Sequence, residues 1–157
     1  MKKDAVIRIV SLQRTENGDN SSEMSVVGTV AYDNNKSIVE YIENNEETGP
    51  EETTITVSDN DTVSIVRHGQ FSSEMMVEKG KRHLTFYRTP YGELTMGIYG
   101  TNVDFSKDEK GATLKLKYEL DFNNGFVSEN TMKIYIEEKL GCLNLLNKLL
   151  TNYIHLL

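Results

Sequence analysis

The sequence predicts an all-β fold, an antiparallel up-and-down barrel that carries an amphipathic helix at its carboxyl end. Apolar and polar residues alternate with a period of two along most of the chain, as in half-buried antiparallel strands. Turn-forming residues separate these runs at hairpin spacing. The last residues follow a helical period instead, which is why a single terminal helix is expected.

The alternation is clearest at residues 114–122, where apolar side chains are separated by Lys115, Lys117, Glu119 and Asp121. Ten further runs show the same pattern, at 4–14, 23–32, 37–43, 53–57, 62–68, 73–77, 82–89, 93–99, 102–106 and 127–137. The pair Asn124-Gly125 suits a two-residue hairpin turn, in which both central residues need positive φ. A meander this long usually closes because closure removes exposed edges, although a β-sandwich would produce the same alternation.

Two segments break the strand pattern. The acidic segment at residues 43–52 has no apolar positions between its ends, and repulsion between its like charges predicts a mobile loop. Residues 142–157 place their apolar side chains on one broad helical face. We therefore predict one domain made of a barrel at residues 1–139 and a helix at residues 140–157. The helix must lie on the barrel, close one of its ends, or pair with a second copy, and a homodimer is favoured.

Composition narrows the class of protein. A chain of 157 residues fits one domain with an adequate core. The lone Cys142 cannot form an intramolecular disulfide, and the amino terminus lacks the apolar run of a signal peptide, so a cytoplasmic protein is expected. A formal net charge of -7 with scattered basic residues argues against nucleic acid. No stretch reaches the roughly 20 apolar residues of a membrane span.

A family resemblance is carried by Arg67-His68-Gly69, Met75, Gly80 and the turn Tyr87-Arg88-Thr89-Pro90-Tyr91-Gly92. These residues resemble the YwiB-like family of small uncharacterised proteins from Gram-positive bacteria, over roughly Val6 to Ile136. The resemblance implies a calycin-like, lipocalin-type antiparallel barrel. It implies no activity and no catalytic residues. The leucine-rich tail after Lys139 departs from the family pattern.

Arg67 is the strongest candidate for a binding residue. It continues the inward face of Val63 and Ile65, so its guanidinium should lie near a barrel end. It is either a structural arginine that bonds a turn carbonyl or an acid, or an anchor for a carboxylate or phosphate.

A pocket beside Arg67 is the second expectation. Met75, with Tyr87 and Tyr91 near the proline turn, would form a soft, aromatic-rimmed pocket, or else pack as ordinary core. His83 completes the predicted ligand-binding set. Side chains just fill an eight-stranded barrel, and Leu84, Phe86 and Phe122 are among those expected inside, so the pocket should be shallow and near one mouth.

No metal, cofactor or catalytic residue is expected. His68 and His83 lie on different strands without a further Cys or carboxylate at ligand spacing, and no Gly-x-Ser-x-Gly elbow is present. The sequence therefore predicts a non-enzymatic barrel that binds a small, partly apolar, anionic ligand at its mouth around Arg67. The alternative is a protein-interaction module that self-associates or docks partners through its terminal helix.

Overall fold

A computed structural model describes residues 1–139 and 149–154, and in it ten antiparallel strands follow one another around a closed barrel. Strand β1 pairs with both β2 and β10, which closes the sheet. The strands are β1 (Lys2–Thr15), β2 (Gly18–Asp33), β3 (Lys36–Asn45), β4 (Gly49–Ser58), β5 (Thr62–His68), β6 (Ser72–Glu78), β7 (Arg82–Thr89), β8 (Gly92–Lys107), β9 (Gly111–Phe122) and β10 (Gly125–Glu138). The predicted all-β, up-and-down barrel is confirmed.

The predicted terminal helix is described only in part. Residues 149–154 are helical, and the rest of the predicted segment, 140–148 and 155–157, lies outside the described residues. Leu149, Leu150, Tyr153 and Ile154 are 56–67% exposed. Within the described part of the chain, no helix is long and apolar enough to cross a membrane.

The apolar core fills one end and the middle of the barrel. Alternate residues of each strand point inward, as the period of two requires. The fully buried apolar side chains include Ala5, Ile7, Val30, Val39, Ile55, Val63, Val77, Ile98, Leu114, Leu116 and Ile134. Ten strands enclose a wider interior than the eight on which a filled barrel was expected, which leaves space at the other end.

Residues 93–99 and 102–106 were predicted as two strands, but they form the single strand β8. The pairing of β8 with β9 shifts between Gly100 and Asn102, where a β-bulge takes up the extra residue. A Cβ at Gly100 would lie 2.3 Å from the carbonyl oxygen of Glu78. The chain therefore bends at Gly100 without ending the strand.

The hairpin turn between β9 and β10 also lies one residue earlier than predicted. Its central residues are Asn123 and Asn124, with φ of 51° and 66°, and Gly125 opens β10 by pairing with Phe122. Asparagine tolerates the left-handed conformation better than most residues, so it fills both positions.

The prediction that residues 43–52 form a mobile loop is wrong for most of that segment. Strands β3 and β4 continue through it, with Glu43 opposite Glu51 and Asn45 opposite Gly49, so only residues 46–48 remain in the turn. Backbone hydrogen bonds of the ladder stabilise this extension despite its charge. The two opposed carboxylates become part of the barrel end.

Three apolar side chains expected inside the barrel are exposed. Leu84 is 52% and Phe86 48% exposed, because the register of β7 turns Thr85 inward between them. Phe122, at the last position of β9, is 46% exposed. The alternation of apolar and polar residues predicts that β7 has two different faces. The more polar of them, which includes Thr85, points into the barrel.

Candidate ligand-binding site

One end of the barrel interior is polar, and we call it the Arg67 mouth. Here the inward positions of several strands change from apolar to polar as each strand passes the core. On β1, for example, Ile9 is followed inward by Ser11 and Gln13, and on β4 Ile55 is preceded by Thr53 and Glu51. The mouth is lined by Ser11, Gln13, Ser22, Tyr41, Glu43, Glu51, Arg67, Tyr118 and Asn130, and Thr53 is fully buried beside it.

Arg67 is the central side chain of this mouth. The register places it on β5 opposite Thr53 of β4 and Ser73 of β6, so all three share the inward face. Its side chain is 38% exposed, and its Nε atom lies 3.9 Å from Oε1 of Glu51. That separation is too long for a hydrogen bond, and the buried Nε has no hydrogen-bond partner. The guanidinium is thus held near an acid without being saturated by it.

Two tyrosines lie close enough to the guanidinium for its charge to act on their phenols. Burial raises the pKa of Tyr118 to about 12, the nearby Tyr87 adds to the rise, and the charge of Arg67 opposes it. Burial also raises the pKa of Tyr41, again opposed by the charge of Arg67. Both phenols therefore keep their protons near neutral pH and remain available as hydrogen-bond donors.

Two cavities meet at Arg67. One, of about 210 Å³, has an apolar floor of Ile9, Met24, Ile55, Ile65 and Met132 and a polar rim that includes Tyr41. The other, of about 280 Å³, is lined by small polar side chains of β1, β2 and β10 together with Tyr118. Arg67, Met132, Ser11 and Ser22 line both cavities, so the two spaces adjoin at the Arg67 side chain.

A third depression, of about 280 Å³, opens on the outer side of Arg67. It is lined by His68, Ser72, Phe86 and Arg88 among others. Here β6 pairs with β7 over only three residue pairs, and the Thr85 hydroxyl donates a hydrogen bond of 2.8 Å to the Glu74 carbonyl. Arg67 is therefore reachable from the barrel mouth and from this side.

The predicted site residues divide into two groups. Arg67 and Tyr87 lie in one row of the inward face, on β5 and β7, with Ser73 of β6 between them, and Met75, opposite Ile65, is buried below this row. His83 faces inward four residues along β7 from Tyr87, roughly 13 Å at about 3.3 Å per residue, and its Nε2 lies 3.1 Å from Oε1 of Glu78. Tyr91 is 95% exposed in the turn after β7. The structure does not bring His83 or Tyr91 to Arg67.

No group of three or more His, Cys, Asp or Glu residues that could hold a metal ion occurs among residues 1–139 and 149–154. Besides the Arg67–Glu51 ion pair, the mouth contains hydrogen bonds between neutral side chains. The Asn130 amide donates to the Ser128 hydroxyl at 2.9 Å, and the Gln13 amide lies 3.4 Å from the same oxygen.

Comparison with known proteins places the chain in a family. Residues 7–134 match the sequence pattern described as Domain of unknown function (DUF1934). The chain belongs to this family. The DUF1934 barrel is similar to the crystal structure of the ywiB protein from Bacillus subtilis, with a TM-score of 0.78 and 18% sequence identity over 88% of this chain and 94% of that one. No curated protein gives a significant match. The YwiB-like resemblance and the calycin-like barrel are thereby confirmed.

Several residues of the DUF1934 mouth were missed from sequence. The sequence predicts Tyr41, Thr53, Tyr118 and Asn130 only as ordinary strand positions, and it places Glu51 in the acidic loop. Their common signal is a polar or phenolic side chain at an inward position near a strand end, where the same face is apolar two residues away. Finding them requires the strand register, because only the register shows that these strand ends meet.

Proposed function

We propose that this barrel is a non-enzymatic binding protein that holds a small, partly apolar, anionic ligand at the Arg67 mouth. The observation that carries the proposal is the buried Nε of Arg67, which has no hydrogen-bond partner although two cavities open onto its side chain. A buried donor without a partner costs free energy, so an acceptor supplied by a ligand would recover it.

The chemistry around Arg67 suits a carboxylate. A guanidinium presents its N–H groups in a planar fork that matches the two oxygens of a carboxylate. Two phenols whose raised pKa values keep them protonated, Tyr41 and Tyr118, can donate to the same group. The apolar floor of the smaller cavity, which includes Ile9, Ile55 and Ile65, would take the hydrocarbon part of the ligand.

The test is calorimetric titration of the full chain with isocaproate, a branched short-chain carboxylate. We expect saturable binding that Arg67→Met weakens at least tenfold. Arg14→Met is the matched control, since Arg14 lies on the outer face of β1 with 59% of its side chain exposed. Equal affinity in the parent and in Arg67→Met would refute the role of Arg67, and absence of binding in the parent would refute the proposal for this ligand class.

A second function, self-association through the terminal helix, has its own supporting observation. Leu149, Leu150, Tyr153 and Ile154 recur at helical spacing and are more than half exposed. Apolar side chains grouped in this way are typical of a surface that docks against another chain. A second copy of the same chain would cover both helices at once.

Light scattering of the full chain across a micromolar concentration series tests this second function. We expect a dimer that the double substitution Leu150→Glu, Ile154→Glu converts to a monomer, with unfolding that depends on concentration only in the parent. Asn152→Glu is the control on the same helix. A monomeric parent at the highest concentration would contradict self-association.

A further inference from the structure

We infer that the ligand of the Arg67 mouth is a zwitterion, an α-amino acid with an apolar side chain. This inference rests on the proposed function and specifies its substrate class. An anion alone explains Arg67, but it leaves unexplained why two carboxylates share the same cavity wall. An ammonium group on the ligand would account for them.

The two carboxylates belong to Glu43 and Glu51, which are directly opposed across β3 and β4 and line the smaller cavity together with Arg67. Like charges directly opposite each other on one sheet face destabilise the pair. Of the two, Glu51 has Arg67 at 3.9 Å, whereas Glu43 has no ion-pair partner among the described residues. The pair therefore carries more negative charge than the neighbouring guanidinium neutralises.

An independent observation comes from Thr53, which lies between Glu51 and Ile55 on the inward face of β4. Both of these neighbours line the cavity. Thr53 is fully buried, and its hydroxyl lies beside the Tyr41 phenol without a hydrogen bond of standard geometry. Buried hydroxyls are normally paired, and this one lies opposite Arg67 and Tyr41 in the sheet register. This donor and acceptor is buried immediately beside the cavity, between two residues that line it.

The separation of the charges sets the ligand class. Because the guanidinium and the Glu51 carboxylate are only 3.9 Å apart, the two ligand groups that they would bind must also be adjacent. Carboxylate and ammonium groups on one carbon atom meet this requirement, whereas a long, extended ω-amino acid would hold them too far apart. The apolar floor, with Ile9, Ile55 and Met132, then faces the amino acid side chain.

The available volume agrees with such a ligand. The smaller cavity of about 210 Å³ equals the space of roughly seven water molecules in the liquid, at about 30 Å³ each. The volume of a medium-sized aliphatic amino acid such as leucine is of this order.

Calorimetric titration of the full chain with three probes tests the inference. L-leucine carries both charges, isocaproate lacks the ammonium group, and isoamylamine lacks the carboxylate. We expect leucine to bind at least tenfold more tightly than isocaproate, and isoamylamine to bind more weakly than either. Glu51→Gln should reduce this preference for leucine to less than threefold while leaving isocaproate binding unchanged or improved.

Glu52→Gln is the matched control, since Glu52 is the next residue on β4 and lies on its exposed outer face. It should leave the leucine preference intact. The zwitterion inference would be overturned if isocaproate binds through Arg67 and leucine binds no more tightly. It would also be overturned if leucine binds more tightly and Glu51→Gln does not reduce that preference. In both cases the proposed function would still stand. Failure of both leucine and isocaproate to bind would overturn the two together.

Discussion

The Nε atom of Arg67 lies 3.9 Å from Oε1 of Glu51, close enough for attraction between the charges but too far for a hydrogen bond. Elsewhere on the barrel an arginine is fully engaged. Arg82 donates two hydrogen bonds to Asp121, of 3.0 and 2.7 Å, across the surface of Gly97. The hydrogen bonds of Arg82 indicate a structural role, whereas the looser contact of Arg67 leaves it able to bind a ligand.

Arg67→Met should change the free energy of unfolding by less than about 1 kcal/mol, because a loose, partly exposed ion pair contributes little. Arg82→Met should destabilise the barrel more, since it removes the two hydrogen bonds that Arg82 donates to Asp121 and leaves that carboxylate the bond from the Asn124 backbone N–H. Urea unfolding followed by circular dichroism measures both changes. A larger loss for Arg67→Met than for Arg82→Met would identify Arg67 as a structural residue.

Thr53→Val should be neutral or stabilising in the absence of ligand, because it replaces a buried hydroxyl that has no hydrogen-bond partner by a methyl group of similar shape. Thr85→Val is the matched control. Thr85 is equally buried, but its hydroxyl donates to the Glu74 carbonyl, so this change should cost about 1–3 kcal/mol. Chemical denaturation compares the two, and equal losses would show that the Thr53 hydroxyl is already satisfied in the free barrel.

Gly100→Ala should destabilise the barrel by roughly 1–3 kcal/mol or more, because the new Cβ would lie 2.3 Å from the backbone carbonyl of Glu78. Backbone at this position cannot move without disturbing the bulge of β8. Gly125→Ala is the milder control, with a nearest approach of 3.3 Å to the Phe122 carbonyl. Thermal unfolding measures the difference, and similar melting temperatures would contradict the close packing of the bulge.

Stability should fall as the solution becomes strongly alkaline. The pKa of Tyr118 rises from 10.0 in its ordinary state to about 12 in the fold, so its contribution is complete below pH 10 and is lost as the pH approaches 12. Each pKa unit corresponds to about 1.4 kcal/mol, which gives a loss of roughly 2–3 kcal/mol for this group.

Tyr118→Phe should remove part of that alkaline loss, whereas Tyr91→Phe should not, because Tyr91 is 95% exposed. Burial raises the pKa of Tyr32 to about 12 as well, so a reduced loss will remain in Tyr118→Phe. Denaturant titrations at several alkaline pH values provide the measurement. If Tyr118→Phe and the parent lose stability identically with rising pH, the raised pKa of the Tyr118 phenol would be contradicted.

The sequence predicts the barrel because period-two alternation is local, and each strand from β1 to β10 carries it. It predicts the inward position of Arg67 for the same reason, from the face of Val63 and Ile65. The sequence predicts the wrong inward face for β7, because Leu84 and Phe86 make the outer face of that strand the more apolar one. Local hydrophobicity therefore misleads where a polar face lines a cavity.

The composition of the mouth depends on long-range register. Thr53 meets Arg67, and Glu43 meets Glu51, only because β3, β4 and β5 pair at particular offsets. The sequence also predicts a loop for the acidic segment at residues 43–52, because the like charges are evident from the sequence. The backbone hydrogen bonds between β3 and β4, which offset their repulsion, are not. A residue such as Tyr118 becomes part of the site only when the barrel closes.

The most direct test of the Arg67 mouth is amide NMR of the nitrogen-labelled full chain during titration with isocaproate. We expect saturable shifts confined to the Arg67 mouth, at Ser11, Thr53, Arg67 and Asn130. Little change is expected at the outer residue Glu52 or at Asn60, in the turn between β4 and β5 at the opposite end of the barrel. Shifts that are absent, or that centre on the outer face of β7 around Leu84, would contradict this expectation.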